Sequence, residues 1–169
     1  AVFFAEDMLR ARGDGLDGKT CVVSGSGNVA IFAIEKIHQL GGTVVACSDS
    51  SGYVIDPKGI DLDQLKELKL HEYGRISTYA DRVGTARFVS GGSIWDVPCQ
   101  VALPCATQNE LSGSDARTLI DNGVLAVVEG ANMPSTPEAI ELFTVAGTPF
   151  APGKAANAGG VATSALEMQ

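Results

Sequence analysis

Residues 19–30 read Lys-Thr-Cys-Val-Val-Ser-Gly-Ser-Gly-Asn-Val-Ala, and this stretch decides the fold. The apolar and β-prone residues 20–23 predict a short buried strand, and a helical pattern follows through Leu40. Between them, Gly25 permits a tight turn, and Gly27 has no side chain to keep an anion away from the backbone. A strand, a glycine-rich turn and a helix in this order predict a dinucleotide site, with the pyrophosphate at the helix N-terminus.

Short apolar runs alternate with helical patterns along the whole chain. Strands are predicted at residues 19–24, 43–48, 52–56, 86–90, 99–103, 124–128 and 150–151. Helices are predicted at residues 3–12, 28–40, 61–73, 77–83, 114–122, 136–146 and 157–168. This alternation predicts an α/β fold with a doubly wound, mainly parallel sheet of the Rossmann type. We expect residues 1–18 to form a lead-in helix and linker, and residues 19–169 to form the dinucleotide-binding domain.

Composition excludes several classes of function. The chain has 169 residues and a net charge of -8, with no block of lysine and arginine, which argues against nucleic acid or an anionic membrane as partner. No signal peptide or apolar run of membrane length is visible. Four cysteines without a Cys-x-x-Cys pair, and only two histidines, predict no metal site. Cys21 and Cys47 are expected to be buried thiols, which favours a reducing, cytoplasmic location.

Polar residues follow three of the predicted strands, at residues 48–51, 107–110 and 129–132. Ligands of doubly wound sheets bind outside the carboxyl ends of the strands. Asp49, at the end of the second strand, is placed to accept a hydrogen bond from a ribose 2′-hydroxyl, which by itself favours NAD. Hydroxyl and cationic side chains close to it in sequence could instead hold a 2′-phosphate: Ser48, Ser50, Ser51, Lys69 and Arg75. The carboxamides of Gln108 and Asn109 suit a nicotinamide amide or its ribose.

Four motifs resemble the hexameric glutamate dehydrogenases closely. They are Ser-Gly-Ser-Gly-Asn-Val-Ala at 24–30, Ala-Leu-Pro-Cys-Ala-Thr-Gln-Asn-Glu at 102–110, Glu-Gly-Ala-Asn-Met-Pro at 129–134 and Lys-Ala-Ala-Asn-Ala-Gly-Gly-Val-Ala-Thr-Ser at 154–164. The resemblance implies oxidative deamination of L-glutamate to 2-oxoglutarate and ammonium, with hydride transfer to a nicotinamide cofactor. It also implies that this chain is the cofactor domain of an enzyme that is a homohexamer at full length.

The resemblance also implies roles for individual residues. Ser24 and the Ser-Asp-Ser-Ser-Gly sequence at 48–52 resemble the branch of the family that prefers NADP, so NADP is favoured over NAD, with Lys69 reaching the 2′-phosphate. Asn132 resembles the residue near the nicotinamide ribose. The side chains of Asn157, Val161 and Ser164 would share one helix face against the nicotinamide and the glutamate. The expected cofactor-binding residues are Ser24, Gly25, Ser26, Gly27, Asn28, Val29, Ser48, Asp49, Ser50, Lys69, Ala106, Thr107, Gln108, Asn109, Asn132 and Asn157.

The chain departs from the family pattern in one large respect. The substrate domain, with the family's catalytic lysine and its proton-shuttling aspartate, is absent from these residues. We therefore expect no catalytic residue in this chain, which would be a fragment that binds cofactor without turnover and is monomeric. Two alternatives stay open at this point: the cofactor domain of a dehydrogenase for another amino acid, such as leucine or phenylalanine, or a dinucleotide-binding module without catalysis.

Overall fold

The computed structural model describes residues 1–158, which form one mixed α/β fold. The strands are β1 Thr20–Val23, β2 Thr43–Asp49, β3 Gly52–Ile55, β4 Arg87–Ser90, β5 Val101–Leu103, β6 Ala126–Val128 and β7 Phe150–Ala151. The helices are α1 Val2–Arg10, α2 Asn28–Gln39, α3 Leu62–Lys66, α4 Ile76–Arg82, α5 Gly113–Asp121, α6 Pro137–Ala146 and α7 Gly153–Ala156. A π-helical turn, Glu67–His71, follows α3, and a 3₁₀ turn, Ile94–Asp96, precedes β5.

A single sheet holds the seven strands in the order β4-β3-β2-β1-β5-β6-β7. β1 pairs parallel with both β2 and β5, and β6 and β7 extend the parallel part. β3 and β4 pair antiparallel and form an arm at the other edge. After β1 the chain builds β2, β3 and β4 on one side of it and then crosses to β5 on the other side. The carboxyl ends of β1 and β5 therefore border a switch point, which is where ligands bind in such sheets. The predicted doubly wound, mainly parallel α/β sheet is confirmed.

The two faces of the sheet carry two separate apolar cores. Within β1, Cys21 and Val23 belong to one core and Val22 to the other, as the two-residue period of a strand requires. Helices α1 and α2 cover the first core, and α5 and α6 cover the second, where Trp95 is 1% exposed. The lead-in helix packs on the sheet, because Leu9 of α1 is part of the first core. The domain boundary at residue 18 stays a prediction.

Side-chain caps start several helices but not the helix that follows the glycine-rich turn. Asp61 accepts two N–H groups of α3, Ser112 forms a capping box with Asp115 on α5, and Thr136 caps α6. By contrast, α2 begins after Gly27 without a side-chain cap. The first N–H groups of α2 therefore stay without a capping side chain.

One predicted helix differs from the structure, and one short helix was not predicted. The helix predicted at residues 61–73 is a short α-helix that runs into the π-helical turn, which buries Leu68 and brings Lys69 Nζ to the Gly74 carbonyl at 2.8 Å. The short helix α7 was not predicted, and Asn157 is its C-cap. Of the helix predicted at residues 157–168, only the first two residues are described, and Ala158 is helical. The remainder of that prediction, residues 159–168, lies outside the described residues.

The predicted burial of Cys21 and Cys47 is confirmed, and the structure also buries Cys99 and Cys105. Cys21, Cys47, Cys99 and Cys105 are all free and buried. No helix among residues 1–158 has both the length and the apolar character that crossing a bilayer requires.

Candidate functional site

Serines hold the glycine-rich turn, residues 24–27, from both sides. On one side Ser48 Oγ accepts the Gly25 N–H at 2.8 Å, which ties the turn to the end of β2. On the other side Ser24 Oγ accepts the Cys105 N–H at 2.8 Å, which ties it to the loop after β5. The turn is therefore fixed against both strands that flank β1.

The two glycines of the turn have different structural roles. Gly25 has φ +83°, and an added Cβ would lie 3.2 Å from Ala106 Cα and from the Cys105 carbonyl oxygen. An added Cβ on Gly27 would meet no atom within 4 Å, so open space borders the backbone there. Helix α2 starts beside this space with 12 residues and no acid in its first turn. The open space, the free N–H groups and the helix dipole suit an anion such as a pyrophosphate.

Donors from the protein occupy the Asp49 carboxylate at the end of β2. Its Oδ1 accepts the Ser51 N–H at 2.8 Å and the Ser51 hydroxyl at 2.5 Å, and its Oδ2 accepts the Ile76 N–H at 2.9 Å. Lys69 Nζ lies 3.7 Å from Oδ2. Burial alone would raise the pKa of Asp49, but the Ser51 and Ile76 hydrogen bonds and the Lys69 charge together lower it.

Two cations stand at this strand end, Lys69 beside the Asp49 carboxylate and Arg75 beside a serine hydroxyl. Lys69 Nζ is held by the Gly74 carbonyl, and Arg75 Nη1 donates to Ser50 Oγ at 2.7 Å. The hydroxyls and Asp49 also line a polar cavity of about 400 Å³, whose opposite wall includes residues 91–95. The structure thus gathers Lys69 and Arg75 around residues 48–51, which is a suitable arrangement for a phosphate group.

Backbone hydrogen bonds join the loop after β5 to the loop after β6. The Asn109 N–H donates to the Met133 carbonyl at 3.1 Å, and the Leu111 N–H donates to the Pro134 carbonyl at 3.0 Å. Asn109 adopts φ 56°, a backbone conformation that asparagine tolerates better than most residues. The two loops therefore form one continuous wall.

This wall borders a second cavity, of about 510 Å³. The carboxamide residues Gln108, Asn109 and Asn132 line it together, and all three are exposed. We call it the carboxamide cavity; its other lining residues include Glu129, Met133, Ser135 and Lys154. The structure brings the three carboxamide residues together, and their contact with a nicotinamide group stays a prediction.

The remaining predicted residues fall into three groups. Ser24 and Ser26 are buried, so their side chains support the turn, whereas Gly27, Asn28, Val29, Ala106 and Thr107 are exposed. Asn157 Nδ2 donates to the Ala131 carbonyl at 3.3 Å, next to the residue predicted to contact the ribose. Val161 and Ser164 lie outside the described residues, so their role stays a prediction.

Two acids, the half-buried Glu110 and the buried Glu129, have roles that sequence reasoning missed. Glu110 Oε1 accepts the Ala106 N–H at 2.9 Å; burial raises the pKa of Glu110, although hydrogen bonds from Ser24 and from the backbone oppose this. Glu129 is 3% exposed and accepts two backbone N–H groups. Both acids belong to polar clusters that follow buried strands, and that position was the available signal.

The cysteine thiols of the chain are not available as nucleophiles. Burial raises the pKa of the thiols of Cys21, Cys47, Cys99 and Cys105 to about 12, so none is a nucleophile at neutral pH. Among residues 1–158, no group of three His, Cys, Asp or Glu side chains could hold a metal ion. The described residues can hold an extended anionic ligand across the ends of β2, β1, β5 and β6.

Comparison with known proteins extends these observations. Residues 1–169 match the family described as Glutamate/Leucine/Phenylalanine/Valine dehydrogenase. The chain is 54% identical over 170 residues to the NAD(P)-specific glutamate dehydrogenase of Xylanibacter ruminicola and 55% identical over 170 residues to the NADP-specific enzyme of Haemophilus influenzae. Each alignment covers 99% of this chain and 38% of the relative. The crystal structure of Plasmodium falciparum glutamate dehydrogenase matches with a TM-score of 0.95 and 45% identity, over 99% of this chain and 36% of that one.

Proposed function

Because the chain belongs to the glutamate/leucine/phenylalanine/valine dehydrogenase family, we propose that it is the NADP-binding domain of a glutamate dehydrogenase. Such an enzyme oxidises L-glutamate to 2-oxoglutarate and ammonium. One observation carries the choice of NADP: two cations stand at the end of β2, Lys69 beside the Asp49 carboxylate and Arg75 beside the Ser50 hydroxyl. The similarity to an NADP-specific relative at 55% identity supports the same choice.

The glycine-rich turn would hold the pyrophosphate. Open space at Gly27 and the uncapped start of α2 provide backbone N–H donors and a positive dipole end. Ser48 and Ser24 fix the turn on its two sides. The turn would therefore lose little conformational entropy when the cofactor binds.

The end of β2 would hold the 2′-phosphate. Lys69 and Arg75 supply positive charge, and residues 48–51 supply hydroxyls and N–H groups. An acid here would ordinarily accept the ribose 2′-hydroxyl of NAD. In this chain the Asp49 oxygens already accept from Ser51 and Ile76, so Asp49 acts as a support for the phosphate site.

The carboxamide cavity would hold the nicotinamide end. Gln108, Asn109 and Asn132 offer both donors and acceptors to a carboxamide or a ribose. Bound NADP supplies the hydride acceptor, and the residues of this chain orient it. Asn157, Val161 and Ser164 would contact the nicotinamide and the glutamate side chain.

The acid–base residues of the reaction would lie in the part of the enzyme that this chain does not span. We propose residues 19–169 as the cofactor domain, in an enzyme that is hexameric and cytoplasmic at full length. The isolated chain would be a monomer, which light scattering can check. It would bind cofactor without oxidising glutamate; glutamate-dependent formation of reduced nicotinamide by the purified chain would contradict this.

The first test is a calorimetric titration of the purified chain with NADPH and with NADH. NADPH should bind at least about tenfold more tightly, because charge-assisted hydrogen bonds to a phosphate are strong. Equal or tighter binding of NADH would overturn the NADP assignment and return Asp49 to a ribose contact. Absence of binding to either would overturn the proposal that this chain holds a complete dinucleotide site.

A further inference from the structure

A buried carboxylate connects the segments that surround the carboxamide cavity. Glu129 follows β6 directly and is 3% exposed. Its Oε1 accepts the Ser135 N–H at 3.2 Å, and its Oε2 accepts the Gly153 N–H at 2.6 Å. Burying an acid without such hydrogen bonds would cost free energy, so these two bonds hold the Glu129 carboxylate in its position. Glu129 thus joins three stretches of chain: the end of β6, the loop at 131–135 and the start of α7.

The joined stretches carry the residues predicted to touch the cofactor. Asn132 lies on the loop between Glu129 and Ser135, and Asn157 follows α7. Gly153 packs so closely that an added Cβ would be 2.7 Å from the Ala131 carbonyl oxygen. The position of the loop and the position of α7 therefore depend on each other through Glu129.

The same carboxylate fixes a residue whose hydroxyl has no hydrogen-bond partner among residues 1–158. Ser135 is 4% exposed, and its Oγ makes no hydrogen bond to any of the described residues. Ser135 also lines the carboxamide cavity. A buried hydroxyl without a partner is unfavourable unless a ligand or a water satisfies it. This atom therefore marks a point where a polar group of a ligand would be bound.

We propose that Glu129 is the positioning residue of the carboxamide cavity and that the Ser135 hydroxyl it fixes hydrogen-bonds the nicotinamide end of the cofactor. This inference rests on the proposed dinucleotide-binding function and extends it to two residues without an assigned role. Glu129 acts through the backbone of Ser135 and Gly153. Ser135 acts through its own side chain.

The chemistry of Glu129 distinguishes it from a simple space-filling residue. A carboxylate accepts at both oxygens, whereas an amide accepts at one and donates at the other. Glu129→Gln keeps the size of the side chain but sets an NH₂ group against the Ser135 or the Gly153 N–H. The substitution should therefore displace one of the two segments while leaving the other half of the site, at the end of β2, unchanged.

The test compares two ligands on the same chain. Adenosine 2′,5′-bisphosphate contains the adenine and 2′-phosphate part of NADPH and lacks the nicotinamide. For Glu129→Gln, we expect NADPH to bind about tenfold more weakly and adenosine 2′,5′-bisphosphate to bind within about twofold of the unsubstituted chain. Ser135→Ala should weaken NADPH alone, by about threefold to tenfold. Glu138→Gln, an exposed acid on α6 paired with Arg117, is the matched control and should change neither affinity.

Each other outcome decides against the proposal. An equal loss of both ligands in Glu129→Gln would mean a general structural role, and unchanged NADPH affinity would remove the positioning role. If Glu129→Gln does not fold, Ser135→Ala still decides, because unchanged NADPH affinity there would overturn the hydroxyl contact. If the unsubstituted chain fails to bind NADPH, the proposed function fails, and this inference fails with it; tight NADPH binding that neither Glu129→Gln nor Ser135→Ala weakens would overturn this inference alone.

Discussion

The two ends of the site are built differently. At the end of β2, charged side chains of both signs pair with one another and with hydroxyls, as Asp49 does with Lys69 and Ser51. At the carboxamide cavity, three uncharged carboxamide side chains lie on loops that backbone hydrogen bonds join, such as Asn109 to Met133, and the charge of Glu129 is buried. The first end can select a ligand by its charge, and the second by its shape and hydrogen-bonding pattern. Choice of nucleotide and placement of the reacting ring would then be separate tasks of separate regions.

The turn between the two ends should give the largest effect, because both regions depend on it. Gly27→Val places a side chain in the open space where the pyrophosphate would lie, so NADPH affinity should fall by about 100-fold or more. Thermal stability should change little, since an added Cβ there meets no atom within 4 Å. Calorimetry and thermal unfolding measure the two quantities.

Gly25→Ala is the matched control for that variant. Its φ of +83° and its tight contact with the loop after β5 should lower the free energy of unfolding by about 1–2 kcal/mol. If Gly27→Val lowers the free energy of unfolding as much as Gly25→Ala does, then Gly27 has a structural role like that of Gly25 and does not serve only to leave space for the ligand.

Lys69→Ala tests the difference between the two ends of the site, because it removes positive charge from the end at β2 alone. NADPH affinity should fall by about tenfold to 30-fold, because a charge-assisted contact with the phosphate is lost, while NADH affinity stays the same. The control is Lys66→Ala, since Lys66 pairs with Glu35 away from the cavity. Titrations with both nucleotides measure the effect, and an equal loss for NADH would place Lys69 outside the 2′-phosphate site.

Asp49→Asn should give the smallest effect, and the effect should depend on pH. The folded state lowers the pKa of Asp49, so the ionised carboxylate stabilises the fold above the ordinary aspartate pKa of about 3.9. This contribution, about 1 kcal/mol for its hydrogen bonds, is lost as pH falls through the lowered pKa. Thermal unfolding between neutral and acidic pH should therefore show a smaller decline for Asp49→Asn. An identical decline in both proteins would contradict the support role of Asp49.

The sequence predicts the first end of the site well because its chemistry is local. The glycines of the turn, the strand before them and the acid after β2 follow one another at fixed spacing, and the structure has them in that order. Lys69 is less local: its approach to Asp49 depends on the π-helical turn, which helical periodicity alone does not reveal.

The second end was only partly predictable. Gln108, Asn109 and Asn132 could be selected as polar residues after buried strands, and the structure brings them together. The contacts of Glu129 could not be predicted, because Gly153 lies 24 positions after Glu129 in the chain. Its approach to Glu129 depends on how β7 and α7 pack. Spacing carries no information about such a contact, whereas close packing in three dimensions determines it.

The burial of the thiols means that the chain carries internal reporters of its own opening. Cys47 precedes the serine that holds the turn, and the Cys105 sulfur packs where an added Cβ on Gly130 would be 2.5 Å away. Burial raises the pKa of both thiols, so alkylation of either should be slow in the folded chain and faster when the strand ends open locally. The rate of modification would then measure how often each end of the site opens. If the turn couples the two ends of the site, bound nucleotide should slow the modification of both Cys47 and Cys105. If it does not, bound nucleotide should slow the modification of only one of them.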